Sequence, residues 1–177
     1  MFLQRLIKPG RAKAAGQRLY AATVAAARTP ALYAEFGAPD TPDGRFEIYT
    51  LFVLLVLERL RRDGAPASPT AQAYFDAYLS GLDHALRELA VGDLTVPKTM
   101  RKLAEAFYGR GKSLEEALAA LPDRAPLEAL IARTVFAGAE GVDPAPLAAR
   151  MLEVREALAA TPSDVLLEGD LPWRAAA

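Results

Sequence analysis

The sequence predicts an all-α protein, a single-domain irregular bundle of about six to eight helices. Apolar residues recur at three- and four-residue spacing along most of the chain, the period of a helix with one buried face. No stretch alternates apolar and polar residues as a half-buried strand does. Pro, Gly, Asp and Ser punctuate the periodic segments where helices end and begin. The chain has 177 residues, 52 % hydrophobic and 24 % charged, enough for one real core. No internal repeat or low-complexity linker divides it, so residues 1–177 are read as one domain.

A first helix is expected from about Arg11 to Arg28, ended by Pro30, with a short helical turn over Ala31 to Phe36. Gly37, Pro39, Asp40 and Pro42 make a loop. The second long helix runs from about Asp43 to Arg62, closed by Asp63-Gly64. Its segment Leu51 to Leu57 is apolar all round, as befits a helix surrounded by others. Ser68-Pro69 reads as an N-cap and first-turn proline opening a third helix. Its inward stripe is read as Phe75, Tyr78, Leu79, Leu82, Leu86 and Leu89, and Gly92-Asp93 breaks it. Thr95 is expected to cap a fourth helix, with Pro97 in its first turn and Met100, Leu103, Ala104, Phe107 and Tyr108 facing inward. Gly109-Arg110-Gly111 is read as an interruption, and Ser113-x-x-Glu116 as a capping box opening a short helix to about Leu121. Two more helices cover Leu127 to Phe136 and Pro144 to Ala159, the latter started by Asp143. From Thr161 the periodicity fades, so the tail is expected as an irregular strap packed through Leu166, Leu167, Leu171 and Trp173.

Composition excludes several chemistries. With no cysteine there is no disulfide, thiolate nucleophile or Cys-type metal site. With one histidine, His84, a haem would lack its usual ligand pair. No metal site, cofactor or catalytic residue is expected. The nearest approach to a catalytic set is Asp76, Ser80 and His84, spaced four apart on one side of the third helix. The serine lies between the other two, whereas a triad needs the histidine in the middle. Gly109-Arg110-Gly111-Lys112 lacks the spacing and preceding strand of a phosphate loop. The apolar run Ile48 to Leu57 spans about 15 Å as helix, half of the roughly 30 Å a bilayer core requires, so it is read as buried and not as a membrane span. Met1 to Gly10 is broken by Gln4, Arg5 and Lys8 and so lacks the apolar core of a secretory signal; it is read as part of the folded protein.

Net charge is −1 but unevenly spread. Residues 1–28 hold six basic residues and no acid; residues 94–112 hold five basic residues against Glu105. Lys98, Arg101 and Lys102 form an outward basic stripe on the fourth helix, able to meet an anionic surface. With Tyr108 read as inward, no aromatic interleaves with that stripe, and base stacking is not indicated.

Three segments together resemble the ubiquinol–cytochrome c chaperone family. The first is Leu19-Tyr20, Ala27-Arg28, Pro30 and Tyr33. The second is Pro39-Asp40-Thr41 followed by Gly44-Arg45-Phe46-Glu47. The third is Asp83, Leu86-Arg87-Glu88, Val91-Gly92-Asp93, Val96-Pro97-Lys98 and Ala106-Phe107-Tyr108-Gly109-Arg110. The resemblance covers about residues 15–120; the helices and tail of 121–177 do not contribute to it. Leu89-Ala90 departs from the methionine-glycine expected there, without touching the charged positions.

The resemblance implies a non-catalytic assembly factor that binds newly made cytochrome b and promotes biogenesis of ubiquinol–cytochrome c reductase. It implies partner contact through Asp83, Arg87, Glu88, Lys98, Arg110 and Arg45, which the outward basic stripe extends to Arg101 and Lys102, and backbone roles for Gly44, Gly92 and Gly109. It also implies ribosome contact, peripheral contact with the inner membrane, and no DNA. In a bacterium the expected location is cytoplasmic, against the inner membrane; in a eukaryote it is the mitochondrial matrix. Two other readings stay open. One is a ribosome- or RNA-binding adaptor using the basic patches at 1–28 and 94–112. The other is an enzyme with a carboxylate site or a bound quinone, which would need a deep pocket.

Overall fold

A computed structural model of the chain describes residues 9–88 and 95–173. Among these residues it is all-helical. Eight α-helices follow in order: α1 (Pro9–Ala27), α2 (Ala31–Ala34), α3 (Pro42–Arg62), α4 (Ser68–Glu88), α5 (Val96–Ala119), α6 (Ala125–Thr134), α7 (Ala145–Ala160) and α8 (Ser163–Glu168). The expected Gly92-Asp93 break, Leu89 of the third-helix stripe and the basic residues Arg5 and Lys8 lie outside the described residues.

α3 forms the centre, and α1, α4, α5 and α7 all pack on it. Every residue from Leu51 to Leu57 is buried. Each such side chain contributes about 1.5–3 kcal/mol of burial against the entropy of ordering it. Thr41 starts α3: its backbone is extended and its hydroxyl accepts from the Gly44 N–H at 3.1 Å. Gly44 is required by packing, since a Cβ there would lie 2.2 Å from the Pro39 carbonyl oxygen.

α1 and α4 pack most extensively of all pairs. α1 buries Ala12, Ala15, Leu19, Thr23 and Ala27, one face at helical spacing. The approach is close because Gly16 and Gly81 lack side chains. A Cβ on Gly16 would sit 2.6 Å from the backbone of Ala73 and Tyr74; one on Gly81 would overlap the Tyr20 hydroxyl.

Four expectations are corrected. Ser68 does not N-cap α4. A single turn of 3-10 helix, Ala65–Ala67, runs straight into it, Ser68 is itself helical, and its hydroxyl donates to the Gly64 carbonyl at 3.3 Å. The inward line of α4 is rotated: Thr70, Tyr74, Tyr78 and Leu82 are buried, while Phe75, Leu79 and Leu86 are half-buried. The rotation follows from α1 covering the Tyr74 side. Thr23 spends its hydroxyl proton on the Leu19 carbonyl (2.8 Å), so Tyr74 donates to Thr23 at 3.0 Å and is satisfied while fully enclosed.

The third correction concerns α5, which runs unbroken through Gly109-Arg110-Gly111 to Ala119. Two helical glycines cost about 1 kcal/mol each. Phe107, Leu114, Ala117 and Leu118 keep one face buried across the gap and outweigh that cost. Ser113 and Glu116 therefore stand mid-helix and form no capping box. At its start, Thr95 offers no side-chain cap; its carbonyl accepts from the Thr99 N–H at 3.0 Å. Fourth, the tail is not irregular throughout. It forms α8, closed by Gly169 in the left-handed conformation (φ 93°), which favours glycine. Leu166 and Leu171 are buried as expected, and the Trp173 ring meets Phe52 edge-on at 5.8 Å.

The tail is clasped by Arg59, a buried cation of α3. It donates to the carbonyls of Leu158 (3.0 Å) and Thr161 (2.9 Å) and pairs with Asp63. The Leu158 carbonyl, which also accepts from the Thr161 N–H at 3.2 Å, and the Thr161 carbonyl just beyond α7 are thereby tied to α3. No described helix is long and apolar enough to cross a membrane.

Candidate functional site

The residues expected to meet a partner fall into three groups. At the C-terminal end of α4, Arg87 donates to both oxygens of Asp83, at 2.8 and 3.3 Å. That hydrogen bond holds the Asp83 carboxyl below the usual aspartate range. Glu88 lies 3.3 Å from His84 Nε2, both well exposed. These are intrahelical pairs, fixed by the four-residue spacing and open to solvent.

The second group lies on α5. Lys98, Arg101 and Lys102 are exposed, and Arg101 donates to Glu105 at 3.1 Å. At 100° per residue, Tyr108 and Lys112 continue the same face. Tyr108 is 61 % exposed, so its expected place on the inner stripe is corrected. An aromatic does stand on the basic face, backed by Phe75 and Phe107 with ring centroids 6.4 and 6.1 Å away. Its position, three residues after Glu105, carries the signal that would have placed it outward.

The third group lies at the start of α3 and against it. Arg45 pairs with Asp40 and lies over the Tyr33 ring, 5.3 Å from its centroid. This pairing puts the Asp40 carboxyl below its ordinary range. Arg110 turns inward. Its Nε donates to Glu47 at 2.6 Å, Nη2 donates to the other oxygen, and the side chains are 24 % and 10 % exposed. Arg110 is a brace between α5 and α3, mid-helix and not at a helix end as expected. Glu47 was missed as its partner because nothing in the spacing of residues 47 and 110 links them; only the packing of two helices does.

The remaining glycine expectations divide. Gly92 lies outside the described residues. Gly109 has nothing within 4 Å of where a Cβ would stand, so packing does not demand it.

Asp76, Ser80 and His84 line one wall of an open groove of about 970 Å³ between α1 and α4. No hydrogen bond joins the three; Asp76 accepts from Gln72 at 2.8 Å instead. Among the described residues, no three His, Cys, Asp or Glu side chains gather to hold a metal.

These features are those of a helical binding protein: a close-packed scaffold carrying charged helix faces. The chain matches the family described as Ubiquinol-cytochrome C chaperone over residues 34–173, and it belongs to that family. It is thus a chaperone of the assembly of ubiquinol–cytochrome c reductase, respiratory complex III. It is also similar to a solved structure, the crystal structure of the Cbp3 homolog from Brucella abortus. The TM-score is 0.81 and the identity 37 %, covering 97 % of this chain and 95 % of that one. Among curated proteins, none matches the chain.

Proposed function

We propose that this chaperone acts on cytochrome b, holding the newly made subunit through the exposed faces of α4 and α5, and that it does so without catalysing a reaction. The observation that carries the reading is the outward face of α5. Lys98, Arg101, Lys102 and the exposed Tyr108 form a basic stripe with an aromatic anchor. Arginine and tyrosine are the residue types that concentrate binding energy at interfaces. Asp83-Arg87 and Arg45-Asp40 add exposed charges of both signs. Such pairs do little for stability and much for orientation and choice of partner. The chaperone works in the cytoplasm against the inner membrane in a bacterium, or in the matrix of a mitochondrion.

Charge reversal tests this. Arg87→Glu and Lys98→Glu are expected to leave helical content unchanged while lowering the accumulation of cytochrome b in growing cells. Normal complex III levels in both variants would remove these residues from the contact surface.

A second reading, contact with ribosomal RNA, gains one observation. Tyr108 on a cationic face is the combination that stacks on bases while lysine and arginine meet phosphates. It predicts steep salt-dependent co-sedimentation with ribosomes, weakened by Tyr108→Ala. Salt-insensitive or absent co-sedimentation disposes of it.

A further inference from the structure

A second cleft lies between α5 and α6, beside the outward stripe of α5. It has a volume of about 420 Å³ and is lined by Gly109, Arg110, Ser113, Leu130, Arg133 and Thr134, together with Ala106. No acidic residue is among them. Glu47, which holds Arg110, is already engaged through both carboxylate oxygens. Arg110 is thereby fixed in direction, and its Nη1 hydrogens make no bond among the described residues. Arg133 is exposed and has no ion pair or hydrogen bond among the described residues. The Ser113 hydroxyl is likewise unbonded among them. Thr134 donates to the Leu130 carbonyl at 2.9 Å, which leaves its oxygen facing other needs only as an acceptor.

Gly109 shapes the same cleft. A glycine inside a helix costs about 1 kcal/mol relative to alanine. At Gly16, Gly44 and Gly81 a neighbour lies too close for a Cβ; at Gly109 nothing lies within 4 Å. Its bare backbone forms part of the wall of the cleft that Arg110, Ser113 and Arg133 also line.

We propose that the α5–α6 cleft is a binding site for a phosphate group, held between Arg110 and Arg133 with Ser113 as a third donor. Arginine presents paired N–H groups that match phosphate oxygens, and Arg110 is preorganised by Glu47. The same chemistry is offered by free phosphate and by the headgroup of an anionic phospholipid.

Two arms of one experiment separate these sources, on the full chain at constant ionic strength. In the first, inorganic phosphate is titrated while the backbone amides of Gly109, Ser113 and Arg133 are followed by NMR. In the second, the protein is floated with phosphatidylcholine vesicles that contain or lack phosphatidylglycerol. Saturable shifts confined to the cleft, or flotation that needs phosphatidylglycerol, support the site and name its source. Arg133→Ser and Gly109→Leu are each expected to weaken that binding about tenfold, the worth of one charged hydrogen bond. The pair is chosen because Arg133 also offsets the carbonyl end of α6, a role Gly109 cannot have. Gly109→Leu projects into open space and favours the helix, so circular dichroism should show an intact fold. The proposal is overturned by absence of binding in both arms. It is equally overturned by binding that survives Gly109→Leu, which would locate the anion at the helix end and not in the cleft.

Discussion

Glu47 is a carboxylate with its side chain only 10 % exposed, and Arg110 supplies two hydrogen bonds to it. Removing the arginine would strand a charge that burial penalises. Arg110→Leu is therefore expected to lower stability by about 2–4 kcal/mol in urea denaturation. Replacing both residues by leucine should recover most of that loss, because the cost lies in the orphaned charge and not in the missing pair. An unchanged midpoint in the single variant would mean that water reaches Glu47 freely. Asp83 behaves differently. Its carboxyl is held below the ordinary aspartate value of 3.8 by the hydrogen bond from Arg87. What this pair contributes is present above that value and fades as pH falls through the lowered one. An NMR titration should find Asp83 ionising below 3.8, and Arg87→Gln should return it toward that value. Coincident titrations in the two proteins would show that the pair does not form in solution.

Helix contacts give the same substitution opposite signs at two glycines. At Gly16 a methyl group would lie 2.6 Å from backbone atoms of α4, which cannot rotate away. Gly16→Ala must push α1 off α4 and is expected to cost about 1–3 kcal/mol, despite its gain in helix propensity. At Gly109 the methyl meets nothing within 4 Å, so Gly109→Ala should stabilise by about 0.5–1 kcal/mol. Thermal melts of the two variants check both. Equal shifts would mean that α1 and α4 do not pack as closely as described. The same contrast shows what was readable in each element. The existence and spacing of the long helices follow from apolar periodicity and proline punctuation, and most ends fall within two residues of expectation. The run through Gly109 to Gly111 was unreadable because two local breakers outvote propensity in isolation. Phe107 and Leu114 restore the helix only once α3 is there to bury them.

Across the molecule, the junction of α1, α3 and α4 encloses three tyrosines. Burial pushes Tyr78 up to about 12, and raises Tyr49 and Tyr74 further. A raised phenol favours the folded state fully below the ordinary value of 10.0, and that contribution is lost as pH rises through the shifted one. Phenolate absorbance from these three should therefore develop only above 10.0 on alkaline titration. The three enclosed phenols ionise together, with loss of helical circular dichroism. A full complement of phenolates with helicity intact would mean that the junction is open to water. This closed centre is also why the candidate faces lie outside it, on α4, α5 and the start of α3. Of those, the charged residues of α4 and the stripe from Lys98 to Lys102 were legible, since outward positions follow from the helical period. The inward turn of Arg110 and the outward place of Tyr108 were not legible from residue type. An arginine reads as exposed and an aromatic as buried unless a neighbouring helix decides otherwise.

By itself, the sequence determined the all-helical class, the buried run of α3 and the family to which the chain belongs. These depend on residue type and local spacing, which a single strand of text carries in full. Tertiary structure alone decided that α5 is continuous, that the tail closes with α8 clasped by Arg59, and that Glu47 claims Arg110. Each of these rests on a contact between residues distant in sequence, whose energy exists only when the intervening helices have brought them together.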